Sequence, residues 1–199
     1  QDVPEVLPEI RDALRPGALV VSLCAGVHTE QLEARLPDGT PVVRVMPNTP
    51  AQVAEGMAAI SAGAHAQQEH LDRVTAIMAA VGKVVTVPER YQDAVTAISG
   101  SGPAYLFFVV EAMIDAGVML GLPRDIATTL VSQTMFGSAK LLIDSGEHPT
   151  VLRERVTSPG GTTAAALREL EAHRVKAAFM TAMEAARDRS ERLARPKDK

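Results

Sequence analysis

The stretch Ser158-Pro159-Gly160-Gly161-Thr162-Thr163 carries the sharpest chemical signal in the chain. Two successive glycines let a backbone approach a ligand closely, and the threonines stand where a helix is predicted to begin, at N–H groups that attract an anion. Such a loop suits a small carboxylate. A plain helix N-cap is the competing reading, although one threonine would suffice for that. Two further loops, Leu23-Cys24-Ala25-Gly26 and Met46-Pro47-Asn48-Thr49-Pro50, each follow a predicted strand. Open parallel sheets place ligands at that carboxyl edge, but an ordinary strand-to-helix turn explains either loop taken alone. Ser99-Gly100-Ser101-Gly102-Pro103-Ala104 has the same small-residue character, and close helix packing accounts for it equally well.

Other chemistries find little support. His28, His65, His70, His148 and His173 offer no paired ligand spacing and read as surface or capping residues, so no metal site is expected. Ser101 lacks the first glycine of a nucleophile elbow. The same segment fails as a dinucleotide loop because Tyr105 stands where the third glycine belongs. Cys24, the single cysteine, has no basic neighbour in sequence and reads as a small buried thiol; with no disulfide available, the cytoplasm is the default compartment. Twenty Lys plus Arg against 24 Asp plus Glu leave a net charge of −4, which argues against a nucleic-acid binder. The one basic excess is the tail, Arg187 to Lys199. The longest uncharged run, Ala94 to Val110, is interrupted by Ser99–Pro103 and short for a bilayer crossing, so no membrane segment is expected.

The elements that must hold these loops fall into two halves. Val3, Val6, Leu7, Ile10 and Leu14 recur at helical spacing until Pro16-Gly17 stops them. Ala18–Leu23 is a continuous apolar run, as expected of a strand buried on both faces of a parallel sheet. A short helix over His28–Leu36, a strand over Val42–Met46, a weaker strand over Gly56–Ser61, a helix marked by Leu71, Val74, Met78 and Val81, and a strand over Val84–Val87 complete an α/β alternation. Beyond Pro88 helices are predicted over 90–98, 103–120, 123–144, 149–156, 162–172 and 174–194. The segment 103–120 carries only Glu111 and Asp115 as charges, four apart on one stripe, so most of its circumference must be buried; a second subunit would help, and an obligate oligomer built on these helices is expected. Aromatic residues make up only 3%, which suits closely packed helices rich in alanine.

The series Cys24-Ala25-Gly26, Met46-Pro47-Asn48-Thr49-Pro50, Ala94-Val95-Thr96 leading into Ser99-Gly100-Ser101-Gly102-Pro103-Ala104-Tyr105, Gly121-Leu122-Pro123 and Ser158-Pro159-Gly160-Gly161-Thr162-Thr163, in that order, resembles pyrroline-5-carboxylate reductase. The resemblance runs from Gln1 to about Leu193 and is most specific over Val156–Glu171. It implies the C-terminal part of a Rossmann-like parallel sheet domain over residues 1–90, followed by a helical, intertwined dimerisation and substrate-binding domain over 91–199. The implied activity is NAD(P)H-dependent reduction of 1-pyrroline-5-carboxylate to L-proline, the last step of proline biosynthesis, in a homodimer or a larger ring. On the same grounds Ser158, Gly160, Gly161, Thr162 and Thr163 hold the substrate, with Thr163 next to the imine nitrogen as the catalytic position. Cys24, Ala25, Gly26 and Asn48 line NADPH or NADH, and Glu89 and Arg155 lie near it, although Arg155 is not the residue usual at its position. Hydride transfer to a cyclic imine needs no nucleophile and no metal, which agrees with the lack of both motifs.

The family opens with a strand, a glycine-rich turn and a helix that cradle the cofactor pyrophosphate, and no Gly-x-Gly-x-x-Gly occurs in the 199 residues. The expectation is therefore a portion of a longer protein, lacking on the order of 60 residues and binding cofactor poorly by itself. Two rival readings stay open: a β-hydroxyacid dehydrogenase-like reductase using Lys140 as its acid, and an inactive oligomerisation fragment.

Overall fold

A computed structural model describes residues 3–193; the end of the basic tail, residues 194–199, lies outside the described residues. The chain divides into two compact units, one comprising the residues up to Pro103 together with those from Ala182 onward, the other Ala104–Thr181.

The first unit is built on a four-stranded sheet of β1 (Val20–Ser22), β2 (Val42–Met46), β3 (Gly56–Ala62) and β4 (Gly82–Thr86), in that spatial order. Helix α1 (Val3–Ala13) precedes it, α2 (Thr29–Glu33) links β1 to β2, and α3 (Gln68–Ala79) links β3 to β4. Both helical crossovers join parallel neighbours, with Val20 opposite Val42 and Gly56 opposite Gly82. β2 and β3 instead run antiparallel, Val43 opposite Ala62 and Met46 opposite Ala59, so the sheet is mixed where a parallel one was expected. The physical reason lies in the connection. Residues 47–55 form a short 3₁₀ turn over Thr49–Val53, too little chain for a crossover and enough for a reversal.

β2 is the centre of this unit. Val43 and Val45 join Ala58, Ile60 and Val74 in one cluster, packed by Leu71 and Met78 of α3, while Val42 faces the other way into Leu7, Leu32 and Leu36. Strand alternation distributes β2 between two cores. β1 does not meet the expectation of burial on both faces. It is an edge strand among the described residues, paired only with β2, and Val21 and Leu23 are 40% and 56% exposed.

The helical half follows its punctuation closely. α4 (Gln92–Val95) passes into a π turn over Thr96–Gly100 and then into α5 (Gly102–Met119). Pro103 does not break the run because it occupies the first turn of α5, where its missing N–H costs nothing. The sequence-based interruption at Ser99–Pro103 is therefore corrected: the helical stretch Glu89–Met119 is long and apolar enough to cross a membrane by length and composition. Helices α6 (Arg124–Ser145), α7 (Pro149–Arg155), α8 (Thr162–Ala172) and α9 (Val175–Leu193) complete the chain. Within the second unit α5 and α6 approach so closely at Gly117 that an added Cβ would sit 3.0 Å from that of Ala127. Most of α5 is nevertheless uncovered within the single chain, with Phe107 and Phe108 66% and 71% exposed.

Candidate functional site

Because β1 and β2 are parallel, their carboxyl ends lie at one edge of the sheet, and both loops singled out from the sequence leave from it. After β1, the Cys24 N–H donates to Ser22 Oγ at 3.3 Å, and the chain turns through Gly26, buried with φ 72°. Cys24 is exposed, which corrects its reading as a buried thiol; as a residue just past an edge strand it has nothing packed over it. Leu23, Cys24 and half-buried Ala25 form an uncharged ledge. After β2, Asn48 is a brace. Its Oδ1 accepts from the Met57 N–H at 2.8 Å and its Nδ2 donates to the Ser99 carbonyl at 3.1 Å, tying the loop to the start of β3 and to the π turn.

Glu89 is held entirely by the protein. Its Oε1 accepts from the Thr29 N–H at 2.7 Å and from Arg44 Nη1 at 3.3 Å, while Oε2 accepts from Thr29 Oγ1 at 2.6 Å. The carboxylate thus caps α2 from a position 60 residues later in the chain. Arg44 is 1% exposed, and a buried cation is tolerated only when paired. Its second nitrogen lies 3.8 Å from Asp93 Oδ1, which accepts from Ser190 Oγ at 2.6 Å. Beside it, fully buried Gln92 donates to Ser61 Oγ at 2.8 Å. The sequence reading missed this network. The available signal was a lone arginine inside the otherwise apolar run Val42-Val43-Arg44-Val45-Met46.

In the second unit, the loop Ser158–Gly161 leads into α8 at Thr162. Gly160 has φ 68°, a conformation that side chains disfavour, and a Cβ on Gly161 would run into Ser158 Oγ. Gly160 is therefore favoured by the backbone of the turn, whereas Gly161 leaves room for the Ser158 hydroxyl; the Gly161 N–H closes the turn onto the Ser158 carbonyl at 3.0 Å. Gly161 is the N-cap and no side chain caps α8, whose first residues are the exposed Thr162 and half-buried Thr163. Neither threonine occupies the cap position. Arg155 pairs with Glu147 at 2.7 Å across α7. Lys140 pairs with Asp144 one turn along α6, both exposed. Among the described residues no group of three or more His, Cys, Asp or Glu could hold a metal.

The family model for pyrroline-5-carboxylate reductase dimerisation matches residues 89–193. A pyrroline-5-carboxylate reductase from Synechocystis is 45% identical over 193 residues, spanning 96% of this chain and 72% of that protein. The chain belongs to the pyrroline-5-carboxylate reductase family. The counterpart in Mycobacterium tuberculosis is 48% identical over 190 residues, 87% of this chain and 64% of that one. Among solved reductases of the family, that of Coxiella burnetii superposes with a TM-score of 0.90 at 36% identity, covering 98% of this chain and 73% of its own. The Plasmodium falciparum enzyme, solved with NADP bound, gives 0.92 at 34% identity over 98% and 78%. The fold class expected from the sequence, a Rossmann-like sheet domain followed by a helical dimerisation domain, is that of these enzymes. The apolar face of α5 lies inside the matched dimerisation region, which accounts for its exposure in a single chain.

Proposed function

We propose that this protein reduces 1-pyrroline-5-carboxylate to L-proline with NADPH or NADH, the last step of proline biosynthesis, as a homodimer or a larger ring. Family membership sets the reaction class, and the Ser158–Thr163 turn is the observation that carries the substrate: a helix start with no side-chain cap, reached through the left-handed Gly160 and the side-chain-free Gly161, suits a small carboxylate. The division of labour follows the sequence, with residues 1–90 contributing one side of the dinucleotide site and 91–199 the assembly and the substrate loop. The net charge of −4 disfavours nucleic acid as a partner, and the apolar helix serves subunit contact rather than a membrane, which fits an enzyme of the cytoplasm.

The residues at the sheet edge fit the cofactor on one side. The uncharged ledge of Leu23, Cys24 and Ala25, which turns at buried Gly26, offers a surface to a flat ring, and the braced Asn48 marks the neighbouring loop. The chemistry supplied with the bound dinucleotide is a hydride for the imine carbon. This chain's own part is orientation. The Gly161–Thr163 segment receives the carboxylate, Ser158 and Thr162 border it, and the Thr163 hydroxyl holds the ring nitrogen, steering the proton that converts imine to amine.

The gene-encoded protein mixed with NADPH and 1-pyrroline-5-carboxylate should consume cofactor absorbance in step with proline formed; no turnover overturns the assignment. Thr163→Ala should lower kcat/KM about 10- to 100-fold, the value of one hydrogen bond to a charged group. A change below about threefold removes Thr163 from the site.

A further inference from the structure

The mechanism above uses neither Arg44 nor the ion pair that buries it. Arg44 sits in the central strand β2 at 1% exposure, where burying a cation is costly, and it is flanked by carboxylates from two sides. A merely structural sheet position would be filled as well by valine, as at Val43 and Val45 on either side. What the cation does is specific. It gives Glu89 a fixed counter-charge, and Glu89 spends both oxygens on the N–H and hydroxyl of Thr29, the first residue of α2. Thr29 lies three residues beyond Gly26, so wherever Glu89 is held the Cys24–Gly26 turn is held too. At the far end Asp93 accepts from Ser190 of α9 and lies 3.8 Å from the second guanidinium nitrogen, a charge contact without a hydrogen bond.

We infer that Arg44 is a positioning residue for the cofactor. Through Glu89 it clamps the start of α2, and so sets where the Cys24–Gly26 turn presents its backbone to the dinucleotide. The inference rests on the cofactor reading of that turn. It also gives Glu89, whose two oxygens are engaged by Thr29 and Arg44, a part in holding the turn through Thr29.

The guanidinium nitrogen facing Asp93 has no hydrogen-bond partner, and neither has Oε1 of the buried Gln92 beside it. The clamp is therefore tight at Glu89 and loose at Asp93. This difference orders the variants: losing the Glu89 contact should matter to the cofactor, whereas Ser190→Ala, at the loose end, should not.

The test uses the gene-encoded protein and two independent readouts, NADPH binding by calorimetry and amide hydrogen exchange over residues 24–30 without cofactor. Arg44→Met should weaken NADPH binding about 10-fold, with KM for 1-pyrroline-5-carboxylate and kcat at saturating NADPH within about threefold. Exchange over the turn should quicken. Arg44→Lys, which keeps the charge, should recover part of both. Unchanged NADPH affinity in a folded Arg44→Met protein overturns the inference, as does an equal rise in both KM values. If that variant does not fold, Thr29→Val removes one donor to Glu89 without stranding a buried charge; it should weaken NADPH about threefold, and no change in binding or exchange overturns the clamp. Wild-type protein that fails to bind NADPH while its exchange still depends on Arg44 overturns the cofactor reading instead.

Discussion

The two units of this protein treat their apolar residues in opposite ways. In the sheet unit Val42, Val43 and Ile60 are wholly buried, and even the charged Arg44 is sealed in. In the helical unit three of the four phenylalanines, Phe107, Phe108 and Phe136, stand outside. The first unit closes its core with its own residues, whereas the second has apolar faces that a single chain leaves uncovered. Stability in the one is therefore a matter of internal packing. In the other it is a matter of concentration, because the burial that orders it is supplied by association.

The contrast can be broken most severely at α5. Phe107→Asp together with Phe108→Asp should abolish assembly at concentrations where the wild type is associated, since each buried aromatic anchor is worth about 2 kcal/mol or more and the charges add a desolvation cost. Sedimentation checks this, and an unchanged oligomer would place the subunit contact elsewhere. Ile60→Ala should instead cost about 2–5 kcal/mol of folding stability, read by denaturant unfolding, with the oligomer intact wherever the protein is folded. An equal loss from the α5 pair in a monomer would erase the distinction between the units. The smallest effect belongs to Lys140→Ala, whose exposed pair with Asp144 is worth within about 0.5 kcal/mol and whose loss should leave catalysis untouched. A collapse of activity there would revive the reading of Lys140 as an acid.

Much of this was legible before any coordinates. The β-branched runs at Val20–Val21 and Val42–Val45 announce strands, and Gly121, Pro123, Gly146 and Pro149 mark helix ends because their backbone limits are local. Strand direction was not legible: the period of side chains along Gly56–Ala62 is the same whichever way β3 runs, and only the short 47–55 connection carried the answer. The continuity through Ser99–Pro103 was hidden because glycine and proline signal a break in general, while proline in a first turn is harmless. At the candidate site, the Gly160-Gly161 pair was readable from residue type alone, and its geometry follows from it. Arg44 was not, since its partners Glu89 and Asp93 lie 45 and 49 residues away and no local pattern announces them.

The hydrogen bond from Ser190 to Asp93 spans 97 residues, and the helix segment that supplies it belongs to the sheet unit although it follows the helical unit in sequence. The helical unit is thus an insertion within the other. The four described strands all lie before residue 90, yet the polar core behind Arg44 is completed only by Ser190. The sheet unit therefore depends on chain from both sides of the helical unit, so cutting the chain within Ala104–Thr181 would cost it the partner behind Arg44 even though all four described strands lie on one fragment.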